Sequence, residues 1–297
     1  LENLEPMLNA IDEPFADSSA LPYYILSKLT RHHATVALSG DGADEIFGGY
    51  NRHLAFYRSL SPGFRENLLK KTAILLKYAP RSRNNALTNT FRKAWKFAQL
   101  LNTTYAGRYE LLSSILNKQE SSKILKNPHN GGYAPLLPGS GDPVNNYLLT
   151  DQQFVLTGDM LTKADMMSMA NGLEVRVPFL DHQLVDYVNS LPGHFKVGND
   201  GKKIILRDAF KNFLPQSLYN RPKKGFEVPL LGWLRNDLQE KQSELFNKQF
   251  IESQGLFDYQ GIDKLKKKLK SSNPEDSHAT IWALMVFQHW YLKLKGE

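Results

Sequence analysis

The chain has 297 residues, 41% of them hydrophobic and 11% aromatic, which is enough to bury the core of one large domain or two small ones. It contains no cysteine, so disulfides, thiolate metal sites and a cysteine nucleophile are excluded within it. The net charge of +7 would suit a polyanion, but much of the excess lies in Lys264 to Lys270, whose spacing predicts a solvated helix face. Nucleic acid is therefore not the expected partner.

The opening residues predict a soluble domain and no targeting segment. No apolar run approaches the ~20 residues that a membrane span needs, and no basic segment followed by a short apolar stretch stands at the start. We therefore expect a cytoplasmic protein without a membrane partner. The chain starts at Leu1 and reads as the middle of a domain, so we also expect it to be a piece of a longer protein.

The first structural pattern is a helix followed directly by a strand. The segment from Asp17 to His33 begins with capping residues and keeps Pro22 in its first turn, which predicts a helix of about four turns. Residues 34–38 are uniformly apolar and partly β-branched, which predicts a buried parallel strand. A helix, a buried strand and a Gly-rich turn in this order are typical of a doubly wound α/β sheet, whose ligands lie beyond the carboxyl ends of the strands.

After Tyr50 the periodicity becomes helical, with hardly any further strand signal. It predicts helices over residues 54–78, 91–101, 104–116 and 279–295, a loop over residues 127–146, and breaks at 177–178, 198–201 and 270–276. We therefore predict a mainly α-helical protein that holds a remnant of a parallel sheet.

Residues 39–50 read SGDGADEIFGGY, which places four glycines and three carboxylates directly after the predicted strand. Glycine lets the backbone approach a ligand closely, and exposed amide protons suit a phosphate or carbonyl oxygen. Asp41 and Asp44 could face a substrate nitrogen and a cation, for which Mg²⁺ is the natural choice. The turn matches neither the dinucleotide fingerprint, which would need glycine at Glu45, nor the calcium loop, which would need glutamate at Arg52. Spacing alone leaves a connection without a ligand open.

Four segments resemble parts of the synthetase domain of the glutamine-dependent asparagine synthetases, and they occur along the chain in the same order as in that domain. They are SGDGADEIFGGY, DEPFADSSALP at residues 12–22, NGLEVRVPFLDHQLVDYVNSLP at residues 171–192 and NRPKKGFEVP at residues 220–229. The matches are highly specific and extend to about Pro229, while the tail beyond Leu238 matches only in being helical.

The resemblance implies a role for each matching residue. Ser39 and Gly40 would contact ATP, Asp41 would face an aspartyl-adenylate and incoming ammonia, and Asp44 would bind Mg²⁺. Lys223 would steady the pyrophosphate and the transition state. Glu174 and Arg176 could instead form only a bracing salt bridge. The resemblance also places four residues near the cleft wall: Lys163, Asp165, Glu174 and Arg176.

The resemblance further implies an ATP-pyrophosphatase-type fold, similar to the adenine nucleotide alpha hydrolases. We expect one incomplete domain: residues 1–58 as the remnant of the nucleotide-binding α/β core, 59–150 as a helical region with the Gly/Pro-rich loop, and 151–297 as a helical region with the second half of the site. The family's SGGxDS loop and its N-terminal glutaminase, which starts with a cysteine, are absent. Ammonia would therefore come from a domain outside this chain, and the chain alone should be inactive. A homodimer is one possible assembly.

Two alternatives remain open at this point. Relatives use the same activation chemistry on other carboxylates, including sugar acids, and an acidic residue at position 41 favours ammonia as the nucleophile. The chain could also be a non-catalytic module that binds a polyanion or another partner. The eight histidines, including His32, His33 and His53, have no metal-ligand spacing, so we interpret them as structural or surface residues.

Overall fold

The computed structural model describes residues 1–76, 79, 81, 86–116, 118–128, 137–219 and 228–296. The described part is mainly helical, as the sequence predicted. Among its residues, no helix is both long and apolar enough to cross a membrane.

The first 60 residues contain the first strand and the helices around it. The elements of this segment are α1 (Leu4–Asn9), α2 (Ala20–Arg31), β1 (Val36–Leu38), α3 (Ala43–Phe47) and α4 (Asn51–Leu60). Helix α2 and strand β1 lie where the sequence predicted them. The prediction that the strand is buried is wrong, because 74% of the Leu38 side chain and 40% of Val36 are exposed. Strand β1 has one neighbouring strand in the described part, and each of its three residues is exposed or half-buried.

The single helix predicted from residue 54 onward is instead three helices, and its predicted end at Tyr78 lies outside the described residues. Pro62 and Gly63 interrupt the pattern, because proline removes a backbone donor and glycine favours a bend. The helices of this region are α5 (Phe64–Lys71), α6 (Ala73–Leu76), α7 (Ala86–Asn102), α8 (Arg108–Ser113) and α9 (Lys118–Ser121).

The next region starts with a long helical segment that changes its winding. Helix α10 runs into a ten-residue π-helical segment and then into α11. The predicted loop over residues 127–146 is partly wrong, because Asp142 caps α10 by accepting hydrogen bonds from the amides of Val144 and Asn145. The elements are α10 (Pro143–Asp151), the π-helical segment (Gln152–Leu161), α11 (Thr162–Met169), β2 (Glu174–Arg176), a 3-10 turn (Pro178–Leu180) and α12 (His182–Ser190).

Two further strands form a small hairpin that the sequence reading missed. The Gly198–Gly201 turn was predicted as a break, and it joins two antiparallel strands of two residues each. The elements are a 3-10 turn (Gly193–Phe195), β3 (Val197–Gly198), β4 (Gly201–Lys202), α13 (Ile204–Phe210) and α14 (Gln216–Tyr219).

The main sheet of the described part consists of β1 and β2 in parallel. Val36 pairs with Glu174, Ala37 with Val175 and Leu38 with Arg176. Strand β2 gave no signal in the sequence, because a three-residue strand with two charged ends has no period to detect and forms only when its partner is alongside. The carboxyl ends of the two strands therefore meet at one edge.

The C-terminal helices build the largest core. Helix α19 buries Ile281, Trp282 and Met285 in this core and packs on α1, α15, α16 and α18. The predicted break over 270–276 separates α18 from α19, and the lysine-rich run lies on α18, where Lys264 and Lys270 are exposed while Leu269 is buried. The elements are α15 (Leu230–Arg235), α16 (Gln239–Leu245), α17 (Lys248–Gln254), α18 (Tyr259–Lys270) and α19 (Ser277–Lys295).

Candidate active site

The Gly-rich turn connects the carboxyl end of β1 to α3. The amide of Ser39 donates to the carbonyl of Arg176 at 2.8 Å, which joins the turn to the end of β2. Gly42 has φ of 85°, and a Cβ there would collide with the side chain of Leu180. Only glycine fits this position without strain. The turn is therefore fixed at the carboxyl ends of the two parallel strands.

Two hydroxyl groups hold the carboxylate of Asp41. Ser39 Oγ donates to Oδ2 at 2.6 Å, and Tyr23 OH from α2 approaches the same oxygen at 3.3 Å. Burial and the charge of Asp41 raise the pKa of Tyr23 to about 12, so its phenol remains a donor at neutral pH. Oδ1 of Asp41 has no hydrogen bond within the described residues. One oxygen is thus anchored and the other remains available.

Asp44 pairs with a lysine that the sequence reading missed. Lys203 Nζ lies 2.8 Å from Asp44 Oδ1, and both side chains are partly exposed. Lys203 follows the β3–β4 hairpin and has φ of 52°, which is uncommon for a residue other than glycine. Such strain often accompanies a functional position. The only signal in the sequence was the Gly-Lys-Lys run after the predicted turn at 198–201.

The donor chemistry near Asp44 is compatible with Mg²⁺. Mg²⁺ is commonly held by one or two carboxylates together with substrate phosphate oxygens and water. Asp44 offers such a carboxylate at the edge of the turn, and Lys203 beside it could pair with a phosphate when a cation takes the carboxylate. No group of three or more potential metal-ligating side chains occurs among the residues that the structure describes.

Behind the turn, a buried chain of polar contacts connects α3 to α4. Glu45 is 1% exposed and accepts a hydrogen bond from Tyr50 OH at 2.6 Å. Burial raises the pKa of Glu45 despite that hydrogen bond. The guanidinium of Arg52 lies over the Tyr50 ring, 4.4 Å from its centre.

The chain of contacts continues to Asp151 at the end of α10. This fully buried carboxylate accepts hydrogen bonds from Arg52 at 2.8 Å and from Tyr109 OH at 2.8 Å. His53 Nε2 lies 2.6 Å from the same carboxylate. Burial raises the pKa of Asp151, but the contacts with His53 and Arg52 outweigh it and hold the pKa below its usual value. His53 is thus a structural residue, as we interpreted it.

Lys163 is buried and its ammonium group is already paired. It lies 2.6 Å from Asp17 and 2.9 Å from Ser19, just before α2. Asp159, one turn earlier in the π-helical segment, has a buried Oδ1 without a hydrogen bond in the described part. Burial and the nearby charge of Asp17 raise the pKa of Asp159 to about 6. The sequence reading missed Asp159, because a carboxylate on a helix is usually solvated.

The other predicted wall residues have different surroundings. Arg176 Nε lies 2.7 Å from Glu174 on the exposed strand β2, so the salt bridge considered above is present. Asp165 is exposed, and its side chain forms no ion pair or hydrogen bond with the described residues. Gly40 is exposed, with space around its Cα. Lys223 lies outside the described residues.

A cleft of about 960 Å³ lies elsewhere, among α7, α8, α18 and the start of α19. None of the described residues that the sequence singled out as a site residue lines it. The combination of glycine, carboxylate and strand ends selects the turn over this cleft.

A carboxylate-bearing Gly-rich turn at the carboxyl ends of parallel strands is the arrangement of a ligand-binding α/β enzyme. The sequence profile of the asparagine synthase family matches residues 1–292. The chain therefore belongs to the asparagine synthase family of enzymes.

Curated relatives agree with this assignment. The chain is 31% identical to asparagine synthetase [glutamine-hydrolyzing] 1 of Bacillus subtilis over 94% of its own length and 44% of that protein. It is 28% identical to a putative asparagine synthetase [glutamine-hydrolyzing] of Mycobacterium bovis over 95% of its length and 43% of that protein. A second Bacillus subtilis relative, asparagine synthetase [glutamine-hydrolyzing] 3, is 30% identical over 80% of the chain and 33% of that protein. The chain thus spans less than half the length of these relatives.

Proposed function

We propose that the protein containing this chain forms asparagine from aspartate and ammonia, using ATP, by way of a β-aspartyl-adenylate. The observation that carries the proposal is the position of the SGDGADE turn, where Asp41 and Asp44 stand at the carboxyl ends of two parallel strands. The names of the curated relatives support the same reaction. Free carboxylate would not react with ammonia, because its oxygen is too poor a leaving group, so ATP must first activate it.

Asp41 is the base of the proposed amide-forming step. Its Oδ2 is anchored by Ser39 and Tyr23, which leaves Oδ1 to accept a proton from the ammonium that develops as ammonia attacks. The attack expels AMP from the acyl-adenylate and forms the amide. Because the raised pKa of Tyr23 keeps that phenol protonated, it orients the carboxylate without competing for the proton.

Asp44 is the proposed Mg²⁺ ligand, and bound Mg²⁺ would neutralise charge on the phosphates of ATP. Ser39 and Gly40 are proposed to contact the nucleotide. Lys223 is proposed to stabilise charge on the departing groups. Lys163 is paired with Asp17 and Ser19, so we assign it to orienting the start of α2, which carries Tyr23.

The remaining features of the proposal concern the complete protein. The parallel strand pair would belong to a doubly wound ATP-pyrophosphatase-type sheet. Glutamine-derived ammonia would come from a glutaminase domain outside this chain, and the protein would act in the cytoplasm. We propose that the 297-residue chain alone forms no asparagine, because it has neither a cysteine nor an SGGxDS loop.

Two assays on the full-length protein separate the two chemical steps. Aspartate-dependent exchange of pyrophosphate into ATP measures adenylate formation, and asparagine release measures the complete reaction. Asp41→Asn should lower asparagine release much more than exchange, while Asp44→Asn should lower both by weakening the use of Mg²⁺ and ATP. Lys223→Ala should slow the chemical step by the ~3 kcal/mol typical of one preorganised donor.

The control is Asp237→Asn, which removes an exposed carboxylate far along the chain from the turn and should leave both rates unchanged. Equal losses of exchange and asparagine release in Asp41→Asn would remove the assignment of Asp41 to the ammonia step. If pyrophosphate exchange depends on another carboxylic acid, such as a sugar acid, and not on aspartate, the product is the amide of that acid and not asparagine. Binding of DNA but not of Mg²⁺-ATP, titrated at two salt concentrations, would favour a non-catalytic role.

A further inference from the structure

Helices α5 and α6 expose an unusual amount of apolar surface. Neither helix contains a buried residue. The side chain of Phe64 is 83% exposed, and Leu68 stands one turn later on the same face of α5. Ile74 and Leu75 on α6 are both more than two thirds exposed. Leu87, at the start of α7, is exposed to a similar degree, and α7 contacts both shorter helices.

The same part of the chain is strongly basic. Residues 63–96 contain nine lysines and arginines and a single acidic residue, Glu66, a net charge of +8 against +7 for the whole chain. Three of these cations form ion pairs. Arg81 pairs with Glu275, and Arg92 and Lys96 pair with Asp276.

Four cations of α5 and α7 have no such partner. Arg65, Lys70, Lys71 and Lys93 are exposed and form no ion pair with the residues that the structure describes. Lys71 follows Leu68 by three residues, on the face that Phe64 and Leu68 share. We call these four cations, together with Phe64, Leu68, Ile74, Leu75 and Leu87, the basic apolar patch.

We propose that the basic apolar patch docks the protein on an anionic lipid surface. Short amphipathic helices with Phe and Leu beside Lys and Arg lie in the membrane interface, where the rings and aliphatic chains enter the headgroup region and the cations contact anionic lipids. The charge of the patch is complementary to such a surface. The five exposed apolar side chains favour lipid over nucleic acid, because phosphate contacts alone would leave them in water.

The docking is peripheral and requires no membrane-spanning helix, but it runs against the sequence-based expectation of no membrane partner. It uses α5, α6 and the start of α7, and none of the residues at the Gly-rich turn. Membrane binding and amide formation should therefore be separable by substitution.

Vesicle co-sedimentation tests the proposal with the full chain. Vesicles of neutral phosphatidylcholine are compared with vesicles that contain phosphatidylcholine and phosphatidylglycerol at about 3:1, at low and near-physiological salt. Binding is expected only to the anionic vesicles and should weaken as salt rises. Lys70→Gln/Lys71→Gln should lower the partition coefficient about 25-fold, from about fivefold for each cation. Phe64→Ser/Leu68→Ser should lower it at least about tenfold at unchanged charge.

Two matched controls separate the patch from general basicity and stickiness. Lys264→Gln/Lys270→Gln removes two exposed cations from α18, and Leu294→Ser removes an exposed apolar side chain from α19. Both should bind vesicles like the unmodified chain. All these positions are exposed, and circular dichroism confirms that each variant is folded.

Three outcomes would overturn the proposal. The first is equal binding to neutral and anionic vesicles, and the second is an equal loss in the α18 control. The third is no vesicle binding at low salt, the result expected if another protein, or another part of a longer chain, covers the patch. Binding to a DNA duplex that depends on Lys70 and Lys71 but not on Phe64 would assign the patch to nucleic acid instead.

Discussion

The buried contact between His53 and Asp151 predicts that the protein loses stability in mild acid. His53 is fully buried, with Nε2 2.6 Å from Asp151 and Nδ1 3.4 Å from the amide of Tyr50. A neutral ring with its proton on Nε2 satisfies both contacts, donating to the carboxylate and accepting from the amide. Burial lowers the pKa of His53 more than the charge of Asp151 raises it, and Arg52 lowers it further.

The sign and size of the effect follow from proton uptake. In the unfolded chain His53 takes up a proton as the pH falls through about 6.5, while the buried ring stays neutral. The unfolded state then binds more protons, so the free energy of unfolding falls as the pH falls. The slope is at most about 1.4 kcal/mol per pH unit. Between pH 7.5 and 5.5, only the pH unit below 6.5 contributes the full slope, so His53 lowers the free energy of unfolding by up to about 1.4 kcal/mol.

Other buried groups require a difference measurement. Glu45 and Asp159 have raised pKa values, so the stability that they contribute is lost as the pH rises above their unfolded values, which opposes His53. Asp151 has a lowered pKa and loses its contribution only below its unfolded value of 3.8. We therefore compare urea unfolding of the unmodified chain and of His53→Gln at both pH values, so that the shared contributions cancel.

The unmodified chain should lose up to about 1.4 kcal/mol more than His53→Gln on acidification from pH 7.5 to 5.5. His32→Gln, which changes an exposed histidine, should follow the unmodified chain. Parallel curves for the chain and His53→Gln would refute the reasoning. A gain of stability in the unmodified chain on acidification, relative to His53→Gln, would show instead that His53 is cationic and paired with Asp151.

Three further predictions concern the groups around the turn. Gly49→Ala should lower the free energy of unfolding, measured in urea, by about 1–3 kcal/mol, because the added Cβ would collide with Asp44. Gly232→Ala, whose Cβ would meet no atom, should raise it by about 0.5–1 kcal/mol, and equal effects of the two substitutions would contradict the close approach at Gly49. Asp159→Asn should raise stability by up to about 3 kcal/mol at pH 8, where the raised pKa makes the charged carboxylate costly, and much less at pH 4; a gain independent of pH would refute this. Lys203→Met should change stability by less than about 1 kcal/mol, because the pair is partly exposed, yet lower ATP–pyrophosphate exchange in the full-length protein severalfold; unchanged exchange would exclude a role for Lys203.

Local signals in the sequence determined several features. The end of α2, the break between α18 and α19 and the length of α19 follow from helical periodicity and from glycine and proline positions, which act over a few residues. The motif at residues 39–50 identified the family and the turn, because glycines at fixed spacing are required by the backbone itself. His53 was predicted only as a structural or surface residue, without its partner.

Tertiary structure decided the features that depend on distant partners. Strand β2 is three residues long and exists because β1 lies beside it. Leu38 looked like a core residue from its neighbours, but burial is set by what packs on the sheet, and 74% of it is exposed. His53 and Asp151 are 98 residues apart, and Asp44 meets Lys203 through a hairpin whose position no local pattern encodes. Propensity and periodicity describe a residue and its near neighbours, whereas pairing, burial and pKa depend on which distant segments the folded chain brings together.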